Sequence, residues 1–168
     1  MAQEGLGRLF DISVGAVPTD AVAGAITGKR VSLRNAGGCT IVVVTTGAST
    51  DITDVDLQQH TASSGGTTAD LDIIDHYYYK SEATLDGDET WTKGTQTAAS
   101  EITNVGAASE ELLLVIEVDA RSLSDGYDYI SLDIPDLGTN GTRHCAILYL
   151  LRDLAVQRTP ANLVAPLS

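Results

Sequence analysis

The residues of this chain that could carry chemistry include three histidines, His60, His76 and His144, which lie 16 and 68 residues apart. No two of them have the spacing of an HxH or HExxH motif, and Cys39 and Cys145 form no CxxC motif, so no predicted element brings metal ligands together. Serine, histidine and aspartate are abundant, but no GxSxG motif is present to expose a serine nucleophile. We therefore expect no catalytic residues, no enzymatic activity and no cofactor.

Carboxylates offer a second possible chemistry, because Ca²⁺ prefers hard oxygen ligands on loops. Two acidic groups are weak calcium candidates: Asp51, Asp54 and Asp56 in one loop, and Asp86, Asp88 and Glu89 in another. Neither matches the ligand spacing of an EF-hand. Asp54 with Asp56, and Asp86 with Asp88, would share one face of a strand, as a glycosidase pair could, but nothing marks a substrate cleft. The favoured interpretation is solubilising acid without a bound metal.

Aromatic side chains form the third unusual group, with Tyr77, Tyr78 and Tyr79 in sequence and Trp91 nearby. On a strand, Tyr77 and Tyr79 would share one face and Tyr78 would take the other. At least one of the three must then lie on a surface or in an interface, where tyrosine and tryptophan are enriched. A sugar-stacking platform would use the same residues, and packing beneath loops of the same domain remains a third possibility.

The charge of the chain limits its partners. The 168 residues carry 23 acidic and 10 basic side chains, which gives a formal charge of −13. Nucleic-acid binding needs clustered cations, and the three Lys and seven Arg are scattered singly. From Asp51 to Glu89 there are ten acids against Lys80 alone, whereas the last 26 residues hold three Arg and one Asp. We expect the acidic middle to face solvent and the arginine-bearing C-terminal region to face a partner.

Short runs rich in β-branched residues, bounded by Gly, Asn and Asp, predict about eight strands and no helix of regular period. The clearest are 40–46, 71–80, 111–118, 127–134 and 144–151. Residues 30–34 and 40–46 are expected to form a hairpin, and 55–59 alternates like an exposed strand. Ile41 to Val44 is apolar at every position, which suits a central strand covered on both faces. Cys39 and Cys145 are expected to be buried reduced thiols.

Without helices for parallel crossovers, the strands predict an all-β fold, a single antiparallel β-sandwich of jelly-roll type with extended N- and C-terminal arms. The predicted parts are an N-terminal arm (1–28), the β-sandwich domain (29–152) and an extended C-terminal tail (153–168). Neither a signal peptide nor a membrane span is expected, since the longest apolar run, Cys145 to Leu151, has seven residues.

The arms carry apolar side chains that a solitary domain would not expose, which favours ordering against a neighbouring subunit. Together with the aromatic cluster they supply the interface candidates: Phe10, Ile12, Val14, Tyr77, Tyr78, Tyr79, Trp91, Arg152, Leu154, Val156, Arg158, Leu163, Val164 and Leu167.

Over about residues 30 to 150, several short sequence segments resemble those of a known group of proteins. The segments are Leu33-Arg34-Asn35-Ala36-Gly37, Thr40-Ile41-Val42-Val43-Val44, Leu57-Gln58-Gln59, Tyr78-Tyr79-Lys80, Trp91-Thr92, Leu114-Val115-Ile116-Glu117-Val118-Asp119-Ala120 and Gly126-Tyr127-Asp128. In word order and spacing the chain resembles small virion structural proteins of tailed bacteriophages. Within that group it is most similar to head decoration or cement proteins.

This resemblance implies a non-enzymatic protein that binds the outer surface of an icosahedral head and stabilises it. The implied partners are the major capsid protein and further copies of the chain in a dimer or trimer, with neither nucleic acid nor membrane bound directly. The implied location is the virion, after synthesis in the host cytoplasm. Two alternatives stay open: a carbohydrate-binding sandwich or adhesin on the particle surface, and a tail or head-completion protein.

Overall fold

The structure of the chain, a computed structural model, describes residues 4–167. These residues form antiparallel strands joined by loops and two short 3₁₀ turns, so the prediction of an all-β sandwich is confirmed. The strands are β1 (Phe10–Asp20), β2 (Val31–Ser32), β3 (Ala36–Thr45), β4 (Thr53–His60), β5 (Thr68–Asp70), β6 (Ile74–Glu82), β7 (Thr92–Ala99), β8 (Glu101–Val105), β9 (Glu111–Asp119), β10 (Tyr129–Asp133) and β11 (His144–Leu154).

The strands are arranged in two sheets. The larger has six strands in the order β1-β11-β3-β9-β6-β7, and the smaller has the order β2-β10-β4-β5 with β8 also paired to β4. If β6, β7 and β8 are set aside, the rest gives β1-β11-β3-β9 facing β2-β10-β4-β5. Two such four-stranded sheets, with successive strands passing between them, form a jelly roll. The β6–β8 segment is an addition: β6 and β7 widen the larger sheet, and β8 pairs with β4 of the smaller one.

The core lies between the two sheets because alternate residues of the central strands are apolar and point inward. Ile41 and Val43 of β3, Ile116 of β9 and Ile147 of β11 are fully or almost fully buried, and they share one cluster with Leu57 of β4. Cys39 and Cys145 are free and buried, as predicted, and burial raises the pKa of both thiols.

Tyr149 joins the two sheets through the core. Its ring is buried on β11, and its hydroxyl accepts a hydrogen bond of 2.9 Å from the backbone N–H of Leu132 on β10. Small residues make room for the ring. A Cβ at Gly15 would stand 2.7 Å from its Cζ, and one at Gly28 would stand 3.1 Å from its hydroxyl oxygen.

Arg143 closes one end of the sandwich and is fully buried. Its guanidinium donates to the hydroxyls of Thr45 and Thr53 and to the carbonyl of Ser49, while its Nε has no hydrogen-bond partner among residues 4–167. Burial lowers the pKa of this arginine. The predicted partner-facing role of the C-terminal arginines therefore does not extend to Arg143, which connects the loops that precede β4 and β11.

Several sequence-based expectations are corrected by the sheet topology. Residues 10–20 of the predicted N-terminal arm are β1, which pairs with β11 as an edge of the larger sheet. The expected hairpin is wrong, because β2 and β3 belong to different sheets. The expected exposure of 55–59 is also wrong: Gln58 and Gln59 are buried, with their amides bonded to neighbouring side chains and to the carbonyl of Asp70.

As far as residue 167, where the described part of the chain ends, the C-terminal tail contains no strand beyond Leu154, as predicted, but it folds back on the domain. The N–H of Arg158 donates to the carbonyl of Gly7, and the N–H of Ser32 donates to the carbonyl of Pro166. Residues 1–3 and 168, which complete the predicted arm and tail, lie outside the described residues. The tail thus adds a short layer across one end of the sandwich.

Candidate assembly surfaces

The three histidines lie in separate places. His60 is buried, with Nδ1 2.9 Å from the Thr68 hydroxyl and Nε2 2.8 Å from the Ser131 hydroxyl. Burial, and secondarily the charge of Arg30, lowers the pKa of His60 to about 4. His76 stands on the surface beside Asp75, and His144 is exposed at the start of β11. The described residues therefore bring no two histidines together as a site.

The calcium candidates of the first acidic loop do not converge. Asp51 accepts hydrogen bonds from Asn140, and Asp54 accepts one from the N–H of Asn104. Asp56 lies on β4, where its neighbour across β10 is Asp133. These aspartates position separate loops and strands, so the structure gives the Asp51, Asp54 and Asp56 set no common centre.

In the second acidic loop, ligand atoms of Glu82, Asp88 and Glu89 lie within 4.8 Å of one another, the one such group found within residues 4–167. Glu89 already accepts from the N–H groups of Asp86 and Gly87, and it lies 3.9 Å from the Lys80 ammonium. Burial and the surrounding carboxylates raise the pKa of Glu82. With Glu110 and Glu111 close by, this group makes one end of the sandwich strongly acidic, and we call it the acidic end.

A row of carboxylates that the sequence analysis did not single out crosses the smaller sheet. Asp133 on β10, Asp56 on β4 and Glu101 on β8 are register neighbours. Asp133 accepts from the N–H of Gly28, while Oδ1 of Asp56 is buried without a hydrogen-bond partner in the described part of the chain. Burial, together with the charge of Asp56, raises the pKa of Asp133. Because these carboxylates lie side by side, their mutual repulsion raises the free energy of the folded state.

The aromatic cluster is divided between two faces of the larger sheet, as the alternation predicts. Tyr77 and Tyr79 point inward against the core, with ring centroids 6.0 Å apart. Tyr78 points outward, is 37% exposed and meets His76 edge to face. Trp91 is 50% exposed, and the ammonium of Lys80 lies 5.1 Å from its ring centroid.

The outer face of the larger sheet carries an apolar row that crosses five strands, and we call it the outer stripe. In register order its members are Val14 of β1, Leu148 of β11, Val42 of β3, Val115 of β9 and Tyr78 of β6. The row on one side is Ala146, Val44, Leu113 and Lys80, and the row on the other side is Ile12, Leu150, Thr40 and Glu117.

A solvated sandwich normally has polar residues on its outer faces. Here Ile12, Val14, Val44 and Tyr78 are all exposed, and the other apolar members of the three rows are half-buried. Val44, at 42% exposed, contradicts the expectation that 41–44 is covered on both faces. Contiguous apolar surface of this kind makes this face a candidate interaction surface.

Charges stand at the edges of this face and not within the outer stripe. Lys80 and Lys93 lie beside Tyr78, on β6 and β7. Glu117 lies toward the opposite ends of the strands, where it accepts hydrogen bonds from the Thr40 hydroxyl and from Nε of Arg152. An apolar centre with charged edges is the usual anatomy of a protein interface.

A second exposed apolar surface forms where residues 4–9 meet residues 155–167, and we call it the terminal patch. Its members are Leu6, Leu9, Val156, Val164 and Leu167. Gly7, at φ +79°, lets the N-terminal turn approach the backbone of Arg158 and the side chain of Leu163. The patch lies at the end where β1 begins and β11 ends, opposite the acidic end.

The interface candidates chosen from sequence fall into distinct positions. Phe10, Ile12, Val14, Tyr78 and Arg152 lie on the outer face of the larger sheet, and Val156, Arg158, Leu163, Val164 and Leu167 lie in or beside the terminal patch. Tyr77, Tyr79 and Leu154 pack on the core, and Trp91 stands at the edge near Lys80.

Sequence analysis missed Val42, Val44, Leu113, Val115, Leu148 and Leu150 as surface residues. The uninterrupted apolar runs of β3, β9 and β11 did indicate that these strands carry apolar side chains on both faces. This signal was ambiguous, because a strand covered by its own chain on both faces has the same pattern.

Comparison with known proteins identifies no relative: no protein-family model, curated protein or solved structure matches this chain. Within residues 4–167 no helix is long and apolar enough to cross a membrane.

Proposed function

We propose that this chain is a non-enzymatic structural protein of a tailed-phage particle, a decoration protein that binds the outside of the head and stabilises it. One observation carries the proposal: residues 4–9 and 155–167 converge on an exposed apolar patch at the end of the sandwich opposite the acidic end. A protein bound through the terminal patch would hold its acidic end away from the shell, so that negative charge faces solvent.

The local chemistry of the terminal patch supports this orientation. Val156 is 54% exposed and Leu9 is 69% exposed. Arg158 lies at the same end of the molecule, as do Arg8, which pairs with Glu4, and Arg152, which pairs with Glu117 and Asp153. Burying such residues against a shell stabilises the complex by roughly 25 cal/mol per Å² of apolar area removed from water. A protein that binds only assembled shells also stabilises them by the free energy of binding.

The proposal predicts binding to heads that lack the protein. Heads purified from a phage deleted for this gene would be mixed with the full chain, and bound chain would be measured by cosedimentation. We expect saturable binding, and decorated heads that withstand a higher temperature than bare heads. Leu9→Lys and Val156→Lys should weaken binding at least about tenfold, since each places a charge in an apolar contact. Ser63→Lys, in an exposed loop, supplies the same charge as a control.

A head preparation that binds no chain at any concentration would contradict the proposal. Equal binding by the Val156→Lys and Ser63→Lys variants would move the contact away from the terminal patch. Protease protection gives a second measurement, because residues 155–167 should be cleaved in the free chain and protected on the head. Residues 10–20 should resist cleavage in both states, since they already form β1.

Glycan binding is the second candidate, because the exposed indole of Trp91 and ring of Tyr78 could stack on a sugar. The ammonium of Lys80, 5.1 Å from the Trp91 ring centroid, already occupies one face of that indole. A glycan array would test this candidate, with loss of signal in Trp91→Ala supporting it.

A further inference from the structure

We infer that the outer face of the larger sheet is a self-association surface, on which a second copy of this chain packs face to face about a twofold axis. The inference deepens the proposed function and rests on it for its biological setting. The contact itself is argued from residues 4–167 alone. It uses a surface separate from the terminal patch, so one molecule can hold its own copy and a shell at once.

The size of the outer face suits a small reversible interface. Five strands about 4.8 Å apart and three rows about 7 Å apart cover about 24 Å by 20 Å, or roughly 500 Å². The accessible surface of a ridged face exceeds its flat footprint, which brings each copy near the roughly 600 Å² per partner at the lower limit of specific interfaces. We therefore expect a dimer that dissociates in the micromolar range rather than a permanent one.

Electrostatics favours a second copy at this surface over the acidic surfaces of the molecule. Each chain carries a formal charge of −13, so two copies repel one another wherever their acidic surfaces approach. The outer stripe contains no charged residue. Two copies can thus bury it without desolvating a charge at the centre of the contact.

A twofold rotation brings opposite edges of the outer face together, and these edges are complementary in charge and size. A twofold axis along the outer stripe, perpendicular to the strands, places the row that holds Lys80 against the row that holds Glu117. Lys80 and the Glu117 of the second copy then lie within about one strand spacing, roughly 4.8 Å, of direct opposition. The same rotation sets the small Ala146 against the large Leu150, and Val44 against Thr40. A contact made by the same patch on both molecules is the expected form of a twofold dimer.

The first test is sedimentation velocity of the full chain over a concentration series at low and high NaCl. We expect the dimer fraction to rise with protein concentration. The affinity of one copy for the other should also rise several-fold between about 0.05 and 0.5 M NaCl, because salt screens the repulsion between two acidic molecules. Val44→Glu should raise the dimer dissociation constant at least about tenfold, because it places a carboxylate in an apolar contact and within about one strand spacing of Glu117 of the second copy. Ser63→Glu supplies the same charge in an exposed loop and should leave that constant nearly unchanged.

A chemical cross-link tests the axis. A residue on the axis meets its own copy, and packed sheets lie about 10 Å apart, so Val42→Cys should cross-link to itself through a bismaleimide of about that length. Cys39 and Cys145 are buried and should not react in the folded protein. Ser63→Cys is the matched control and should give no covalent dimer.

A chain that stays monomeric at all concentrations and salt conditions would overturn the inference, as would a dimer that Val44→Glu leaves intact. Head binding by such a monomer would leave the proposed function standing. A salt-strengthened dimer that no head preparation binds would have the opposite meaning, because the self-association surface would be correct and the proposed function wrong.

Discussion

The two faces of the larger sheet are both apolar along the middle of the central strands, but the apolar side chains on the two faces have opposite consequences. On β3, Val43 points inward and is fully buried, whereas Val44, the next residue, points outward and is 42% exposed. The inner face is covered by the smaller sheet of the same chain and so contributes to folding. The outer face is covered by nothing in the described part of the chain, so its apolar area is available for association. The contrast shows that the hydrophobicity of a strand does not predict whether its apolar face will be covered by the same chain or by another molecule.

The sharpest way to test this contrast is a pair of identical substitutions at neighbouring positions. Val43→Ala should lower the free energy of unfolding by about 2–3 kcal/mol, because it leaves a cavity in the core. Val44→Ala should lower it by less than about 1 kcal/mol in dilute solution, where the chain is monomeric. Chemical denaturation of both variants measures the difference. Equal losses would mean that the outer face is covered within the monomer.

The interior also contains a titratable group whose protonation opposes folding. The pKa of His60 is lowered to about 4 in the folded state, below the value of about 6.5 expected when the chain is unfolded. The unfolded state therefore binds the proton first as the pH falls, and stability is lost between about pH 6.5 and pH 4. Between pH 7 and pH 5 the loss should be about 2 kcal/mol. His60→Gln should reduce this dependence, which denaturation at several pH values measures, and an unchanged slope would contradict the assignment.

The hydrogen bond between Tyr149 and Leu132, which crosses the core, should contribute less to the free energy of unfolding than the two effects above. Tyr149→Phe keeps the ring but removes the oxygen that accepts from the N–H of Leu132, leaving a buried donor without a partner. We expect a loss of about 1–2 kcal/mol in the free energy of unfolding. The dimer dissociation constant should not change, because Tyr149 points away from the outer stripe. A changed constant would show that the two faces are coupled.

The smallest effect is expected at the row of carboxylates. Burial raises the pKa of Asp133 above its unfolded value, so the charged form destabilises the fold and stability is lost as the pH rises through the folded pKa. Asp133→Asn removes the charge and keeps an oxygen that can accept from Gly28. It should raise the melting temperature slightly at pH 7 and not at a pH low enough to protonate Asp133. A lower melting temperature at pH 7 would contradict this account.

Local pattern was sufficient to predict most of the strands and the division of the tyrosines. The alternation across Tyr77, Tyr78 and Tyr79 separates the faces because successive side chains on a strand point in opposite directions. Pairing could not be predicted in the same way. The run Asn35-Ala36-Gly37-Gly38 is typical of a hairpin turn, yet Ala36 already begins β3, and the chain crosses between the sheets over residues 33–35. The partner of each strand depends on contacts between residues far apart in sequence.

The prediction that the polar residues of β4 are exposed was wrong for a related reason. Gln58, Gln59 and His60 have the polarity of a surface strand, but each finds hydrogen-bond partners on other segments, such as Ser124 and Ser131. A polar side chain can be buried when its hydrogen bonds are satisfied, and this condition is invisible until the fold brings the partners near.

By itself, the sequence determined the all-β class, the acidic surface, the reduced cysteines and the unusual apolar content of both termini. These properties follow from composition and from the period of two along a strand. Only the tertiary structure decided that residues 4–9 and 155–167 meet in one patch, that Arg143 is buried, and that Val42, Val44, Val115 and Leu148 share an outward face. The reason is that a strand's periodicity separates its two faces without saying what lies against either, and packing alone assigns one face to the core.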